Sequence, residues 1–219
     1  MKINFLGDSI TWGVGASVLE NSYVMQVGDM LGCEVCNFGA SGTRIAKQHS
    51  VSENPAWDEH FMLRAVKMGE ADFVFAFGGT NDYGHGDAMF GKPGETDTDT
   101  FCGAFLELAS FLVEKYGREK LCYILPIPRY NQASVYGSAE RKRGEVYKNC
   151  DLHTLAEYIA AAREILDSLG VSYMDIADRI PEPDTNGASV YFTDGLHPND
   201  AGHKIIAEAV CDYVKKNSK

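Results

Sequence analysis

Short apolar runs alternate along the chain with longer segments whose apolar residues recur every three or four positions. The short runs predict buried strands, and the periodic segments predict amphipathic helices. Five strands are predicted in this way, at Lys2–Leu6, Cys33–Asn37, Ala71–Phe77, Leu121–Leu125 and Val171–Asp175. Because helices separate them, we expect an α/β fold in which a parallel sheet is covered on both faces, a three-layer αβα sandwich.

Polar caps and glycines mark the predicted helices. Helices that begin near Tyr23, Phe101 and Leu155 each run into a glycine, at Gly32, Gly117 and Gly170 respectively, where helices commonly end. Two further helices are predicted, one over Trp57–Met68 and one carrying Ile205 to Tyr213, with His203 near its start as an exposed residue.

Two polar stretches, 78–99 and 129–151, are longer than most loops and are candidates for lids or substrate walls. No linker, repeat or low-complexity segment divides the chain. We therefore expect a single domain that spans residues 1–219.

The net charge of the chain limits the kinds of molecule that it is expected to bind. The net charge is −11 and the isoelectric point is about 4.9, which argues against nucleic acid and anionic membrane surfaces as partners. No segment has the ~20 apolar residues needed to span a bilayer, and the start of the chain lacks a signal-peptide pattern. A cytoplasmic protein is expected, and a homo-oligomer is left open.

The six cysteines are spread over predicted strands and helices, unlike a disulfide framework. Cys33 and Cys36 match a C-x-x-C pattern, but they lie in a predicted strand rather than at the start of a helix, and no partner completes a zinc site. Structural thiols are the favoured interpretation.

Polar and small residues follow the predicted strands, where open α/β sheets place their ligand sites. Ser9 follows the first strand, Gly42 the second and Asn81 the third. Asp194 and His197 lie three residues apart in a turn after the fifth strand. This spacing lets the carboxylate orient the imidazole, which can then take the proton of Ser9.

Attack by a serine on an ester builds negative charge on the carbonyl oxygen, and hydrogen-bond donors fixed in advance stabilise that charge. The backbone N–H groups of Ser9 and Gly42 and the side-chain amide of Asn81 are suited to this role. Gly39 is a rival to Gly42 for the same position.

These residues resemble the SGNH (GDSL-type) hydrolases, a family of esterases and lipases. The resemblance rests on four blocks in family order: Gly7-Asp8-Ser9-Ile10, Ala40-Ser41-Gly42, Gly79-Thr80-Asn81-Asp82 and Asp194-x-x-His197. It implies a flavodoxin-like sheet of order 2-1-3-4-5, a catalytic triad of Ser9, His197 and Asp194, and an oxyanion hole of Ser9, Gly42 and Asn81. The GDSL motif has leucine where this chain has Ile10, and this position is one of apolar packing.

Asp8, Tyr83 and His85 are candidate substrate-binding residues, because they adjoin these blocks. For His85 a solvated loop is an equal alternative. The acidic run at Glu95, Asp97 and Asp99 lacks the glycine and terminal glutamate of a calcium loop, and Gly13-Val14-Gly15 lacks the third glycine of a dinucleotide loop. No metal and no cofactor are therefore expected.

The expected function is a serine esterase that cleaves carboxylic esters of small molecules through an acyl-serine intermediate. Short acyl groups, such as acetyl on a sugar or small alcohol, are favoured because the two long loops are polar. A thioesterase or lysophospholipase is the alternative. A flavodoxin-like electron carrier and a non-catalytic carbohydrate-binding relative are less favoured.

Overall fold

The computed structural model describes residues 1–129, 152–180, 183 and 190–218. Its parallel sheet has the strand order β2-β1-β3-β4-β5. The strands are β1 (Lys2–Gly7), β2 (Glu34–Gly39), β3 (Phe73–Phe77), β4 (Leu121–Ile124) and β5 (Ser172–Met174). The expected α/β class and strand order are confirmed.

Helices cover both faces of this sheet. They are α1 (Ser9–Trp12), α2 (Tyr23–Leu31), α3 (Phe61–Ala65), α4 (Thr80–His85), α5 (Phe101–Tyr116), α6 (Leu155–Leu169) and α7 (Asp200–Asn217). Helices α2 and α7 pack on one face, and α3, α5 and α6 pack on the other. Burial of both faces explains why the strands read as nearly continuous apolar runs.

The central strand β3 shows how the two cores are separated. Phe73, Phe75 and Phe77 point to the face with α2 and α7, whereas Val74 and Ala76 point to the other face. All five side chains are buried. Alternation of side chains along a strand therefore supplies both cores from one apolar run.

The helix predicted over Trp57–Met68 is shorter in the structure. A 3-10 turn at Pro55–Asp58 comes first, and α3 begins only at Phe61. The carboxylate of Asp58 accepts hydrogen bonds from Arg44 and Ser52. These bonds hold the turn against the segment that follows β2. The apolar residues between 57 and 68 are therefore divided between a 3-10 turn and the short helix α3.

The prediction that His203 is exposed is wrong, since its side chain is fully buried. Its Nδ1 accepts a hydrogen bond from the backbone N–H of Tyr23 at 3.3 Å. Its Nε2 donates to the carbonyl oxygen of Val14 at 3.2 Å. Burial lowers the pKa of His203 to about 4, so the ring is neutral near pH 7. It ties α7 to the segment that follows α1.

Cys33, Cys36, Cys102, Cys122 and Cys211 are free thiols, and the last three are buried. The sixth, Cys150, lies outside the described residues, as does nearly all of the predicted loop 129–151. Within the part of the chain that the structure describes, no helix is long and apolar enough to cross a membrane.

Candidate active site

The nucleophile candidate lies at the carboxyl end of β1. Asp8 caps the single-turn helix α1, with Oδ1 accepting from the N–H of Ile10 at 2.9 Å. Ser9 is the first residue of that helix, so its N–H has no acceptor within the helix. A Cβ on Gly7 would overlap the side chain of Thr11, so only glycine lets the chain turn this sharply from strand into helix.

His197 reaches Ser9 across 188 positions of sequence. Its Nε2 lies 2.9 Å from Ser9 Oγ, and its Nδ1 lies 2.6 Å from Asp194 Oδ2. The other carboxylate oxygen of Asp194 accepts from the backbone N–H groups of His197 at 2.7 Å and Leu196 at 2.9 Å. The carboxylate, the imidazole and the hydroxyl therefore form one continuous hydrogen-bonded chain.

The environment keeps Asp194 ionised. Partial burial acts to raise its pKa, but the hydrogen bonds from His197 and Leu196 outweigh this and hold the pKa at about 2. An ionised acceptor at Nδ1 keeps the proton on that nitrogen. Nε2 of His197 then presents its lone pair to the Ser9 hydroxyl.

Gly42 and Asn81 lie in segments that follow the two strands flanking β1, since the sheet order is β2-β1-β3. Gly42 has a φ of +75°, and an added Cβ would overlap the indole of Trp57. Asn81 is buried in the first turn of α4, with Nδ2 donating to the carbonyl oxygen of Thr43 at 3.0 Å. The amide nitrogen carries a second hydrogen besides the one used in this bond.

The rival glycine is already engaged. The N–H of Gly39 donates to Asn37 Oδ1 at 2.8 Å, and a Cβ on Gly39 would overlap the backbone of Trp12. Its lack of a side chain is thus explained by packing of α1 against β2. This favours Gly42 over Gly39 as the oxyanion donor.

Asp82, next to Asn81, binds the backbone of the loop after β2. Its carboxylate accepts from the N–H groups of Ile45 at 3.0 Å and Ala46 at 2.9 Å. Burial raises the pKa of Asp82 to about 6, although these two hydrogen bonds oppose the rise. The sequence pattern did not assign this role to Asp82.

The three candidate substrate-binding residues occupy different environments. Asp8 is fully buried, and burial raises its pKa to about 6. Tyr83 is 5% exposed and packs edge-on against Tyr158. Both positions suit support of the local fold rather than contact with a ligand.

His85, the third candidate, packs against a residue that lies beside Gly42. Its ring packs beside Trp57, with the centroids 5.6 Å apart, and Trp57 in turn covers Gly42. Nδ1 accepts from Nη1 of the buried Arg44 at 2.7 Å. Burial and the guanidinium of Arg44 lower the pKa of His85 to about 4. The imidazole of His85 is therefore neutral near pH 7.

Comparisons with known proteins bear on the family and on the fold. The family model for the GDSL-like lipase/acylhydrolase family matches residues 5–205. A comparison with curated proteins found no match.

Solved structures share the fold over nearly the whole chain. A protein from Lactobacillus plantarum is 26% identical, with a TM-score of 0.77 over 98% of this chain and 96% of its own. A possible lipase from Chitinophaga pinensis is 19% identical, with a TM-score of 0.70 over 98% of each chain. A carbohydrate acetylesterase family member from Sinorhizobium meliloti is 17% identical, with a TM-score of 0.65 over 99% of this chain and 98% of its own.

The match of the family model covers most of the chain, including the segments that carry Ser9, Gly42, Asn81, Asp194 and His197. This protein therefore belongs to the GDSL-like lipase/acylhydrolase family and is an ester-hydrolysing enzyme.

Proposed function

We propose that the protein is a serine esterase that cleaves short-chain carboxylic esters of small alcohols, with sugar acetates as the favoured substrates. The observation that carries this proposal is the hydrogen-bonded chain from Asp194 through His197 to Ser9, with distances of 2.6 Å and 2.9 Å. A serine hydroxyl is a weak nucleophile near neutral pH, and a base within hydrogen-bond reach activates it.

The first half of the reaction forms the acyl-enzyme. Ser9 Oγ attacks the ester carbonyl carbon while Nε2 of His197 takes the hydroxyl proton, and the carbonyl electrons move onto oxygen. The N–H groups of Ser9 and Gly42 and the Nδ2–H of Asn81 stabilise this oxyanion. When the carbon–oxygen double bond re-forms, the bond to the alcohol oxygen breaks, and His197 donates its proton to the departing alcohol.

The second half releases the acid. A water molecule attacks the acyl-Ser9 carbonyl as His197 takes one of its protons, and the same donors stabilise the second oxyanion. Collapse returns the proton to Ser9 Oγ and frees the carboxylic acid. Asp194 stays ionised throughout and stabilises the imidazolium that forms in each half-reaction.

The preference for short acyl groups is supported by the walls beside Gly42. The indole of Trp57 lies against this glycine, and the ring of His85 packs on the indole. Two rigid rings next to the oxyanion hole limit the room for an acyl chain. The name of the Sinorhizobium meliloti neighbour points the same way.

A series of p-nitrophenyl esters of increasing acyl length tests the proposal. We expect kcat/KM to be highest for acetate and to fall at least tenfold by octanoate, because each methylene that fails to fit forfeits ~1 kcal/mol or more. Acetylated sugars should be turned over faster than acetyl-CoA. Rates that rise with chain length, or a preference for acyl-CoA, would instead support a lipase or a thioesterase.

A further inference from the structure

Arg64 is a buried cation in α3 that none of the sequence motifs includes. Its side chain is 6% exposed, and its guanidinium lies 4.7 Å from the centre of the Phe61 ring. Nη1 donates to the carbonyl oxygens of Gly7, at 2.5 Å, and Phe38. Nη2 donates to Thr43 Oγ1 at 2.7 Å. One guanidinium thus joins the ends of β1 and β2 to the loop after β2.

Two of these contacts lie next to donors of the proposed oxyanion hole. Gly7 lies two residues before Ser9, and Thr43 is the neighbour of Gly42. The carbonyl oxygen of Thr43 also accepts from Asn81 Nδ2 at 3.0 Å. Arg64 therefore binds the segments of Ser9 and Gly42 directly and is connected to Asn81 through Thr43.

The chemistry of the side chain suits such a junction. A guanidinium presents its N–H groups in a fixed plane and can satisfy several acceptors in set directions, which a lysine ammonium cannot reproduce. Burial lowers the pKa of Arg64 to about 10, and the nearby carboxyl of Asp8 acts against this change. The side chain therefore remains a cation near pH 7, and its hydrogen bonds through Nη1 and Nη2 are charge-assisted.

We propose that Arg64 is a positioning residue that fixes the spacing of the Ser9, Gly42 and Asn81 donors for the oxyanion. This inference rests on the proposed serine mechanism. Catalytic donors must be held within about 0.5 Å of their productive positions by the residues behind them. Arg64 supplies that support at the point where the three segments meet.

A double-mutant cycle between Arg64→Met and Asn81→Ala tests the proposal, with kcat and KM measured on p-nitrophenyl acetate. Loss of one oxyanion donor costs ~10²–10³ in kcat, and we expect Arg64→Met to lower kcat by ~10- to 100-fold with KM changed by less than about threefold. The double variant should be only a few-fold slower than Asn81→Ala, because both changes damage the same hole. Fully multiplied effects, or a wild-type kcat in Arg64→Met, would overturn the proposal.

Lys115→Met is the matched control. Lys115 Nζ also donates to two backbone carbonyl oxygens, of Ala65 at 3.1 Å and Val66 at 3.2 Å. These contacts brace the end of α3 without reaching Gly7, Phe38 or Thr43. Lys115→Met should lower the melting temperature and leave kcat unchanged. An equal loss of kcat in this control would make the Arg64 effect a general consequence of lower stability.

Thr43→Val keeps the test decisive if Arg64→Met does not fold. This variant keeps the shape of the side chain but removes the hydroxyl that accepts from Arg64 and donates to the carbonyl oxygen of Ala40. We expect a folded protein whose kcat is lowered ~3- to 30-fold. A folded Thr43→Val protein with wild-type kcat would overturn the role of this junction.

The failure of this inference is distinct from that of the proposed function. If turnover requires Ser9 but is insensitive to Arg64 and Thr43, only the positioning role is wrong. If turnover persists in Ser9→Ala, the serine mechanism itself is wrong, and the positioning role falls with it.

Discussion

Replacing Ser9 by alanine should lower kcat for p-nitrophenyl acetate by ~10⁴- to 10⁶-fold, and replacing His197 as well should lower it no further. The physical reason is that the two side chains act as one unit. His197 Nε2, 2.9 Å from Ser9 Oγ, has no hydroxyl proton to take once the serine is gone. A Ser9 that has lost its base is equally unable to attack.

Steady-state rates of Ser9→Ala, His197→Ala and the double variant check this expectation. Ser168→Ala makes the same chemical change in α6, where the hydroxyl donates to the carbonyl oxygen of Ile165, and it should keep the wild-type kcat. Residual activity within tenfold of wild type in Ser9→Ala would contradict the mechanism, as would losses that multiply in the double variant.

Replacing Asp194 by asparagine should lower kcat by ~10⁴-fold with little change in KM, the size seen when the equivalent exchange is made in a serine protease triad. The asparagine oxygen can still accept from the backbone N–H groups of His197 and Leu196. Its amide nitrogen then faces Nδ1 of His197 as a donor. The imidazole proton is therefore driven to Nε2, which can no longer accept the proton of Ser9.

The dependence of kcat on pH tests this explanation. If the wrong tautomer of His197 causes the Asp194→Asn defect, a change of pH should not restore activity. The carboxyl of Asp194, with a pKa of about 2, is ionised well below the working range, so its own titration does not shape the wild-type activity from about pH 5 to about pH 9. The Asp194→Asn defect should persist across that whole range. A loss of less than tenfold, or recovery within that range of pH, would mean that Asp194 does not set the tautomer.

The residues at the strand ends could be predicted from the sequence because a parallel sheet brings its carboxyl ends to one edge. Ser9, Gly42 and Asn81 follow strands that are neighbours in the sheet, and Asp194 and His197 are close in sequence. Local patterns and one topological rule thus sufficed to propose that they meet.

Other parts of the site depend on contacts that sequence spacing does not reveal. Arg64 reads as an ordinary polar position in a helix, and only the packing of α3 behind β1 and β2 shows what it binds. Trp57, which lies against Gly42, belongs to a 3-10 turn and not to the longer helix that the apolar spacing predicts. His203 looks exposed on a polar helix turn, yet it satisfies two backbone groups in the interior.

Covalent trapping tests the central claim most directly, because it looks for the bond that the mechanism requires. The protein is treated with diisopropyl fluorophosphate, which mimics the tetrahedral intermediate on a serine, and the labelled peptide is identified by mass spectrometry. One label per chain, on the peptide that contains Ser9, with parallel loss of esterase activity and no label in Ser9→Ala, is the expected result. A label on another residue, or full inactivation without modification of Ser9, would contradict the proposed acyl-Ser9 mechanism.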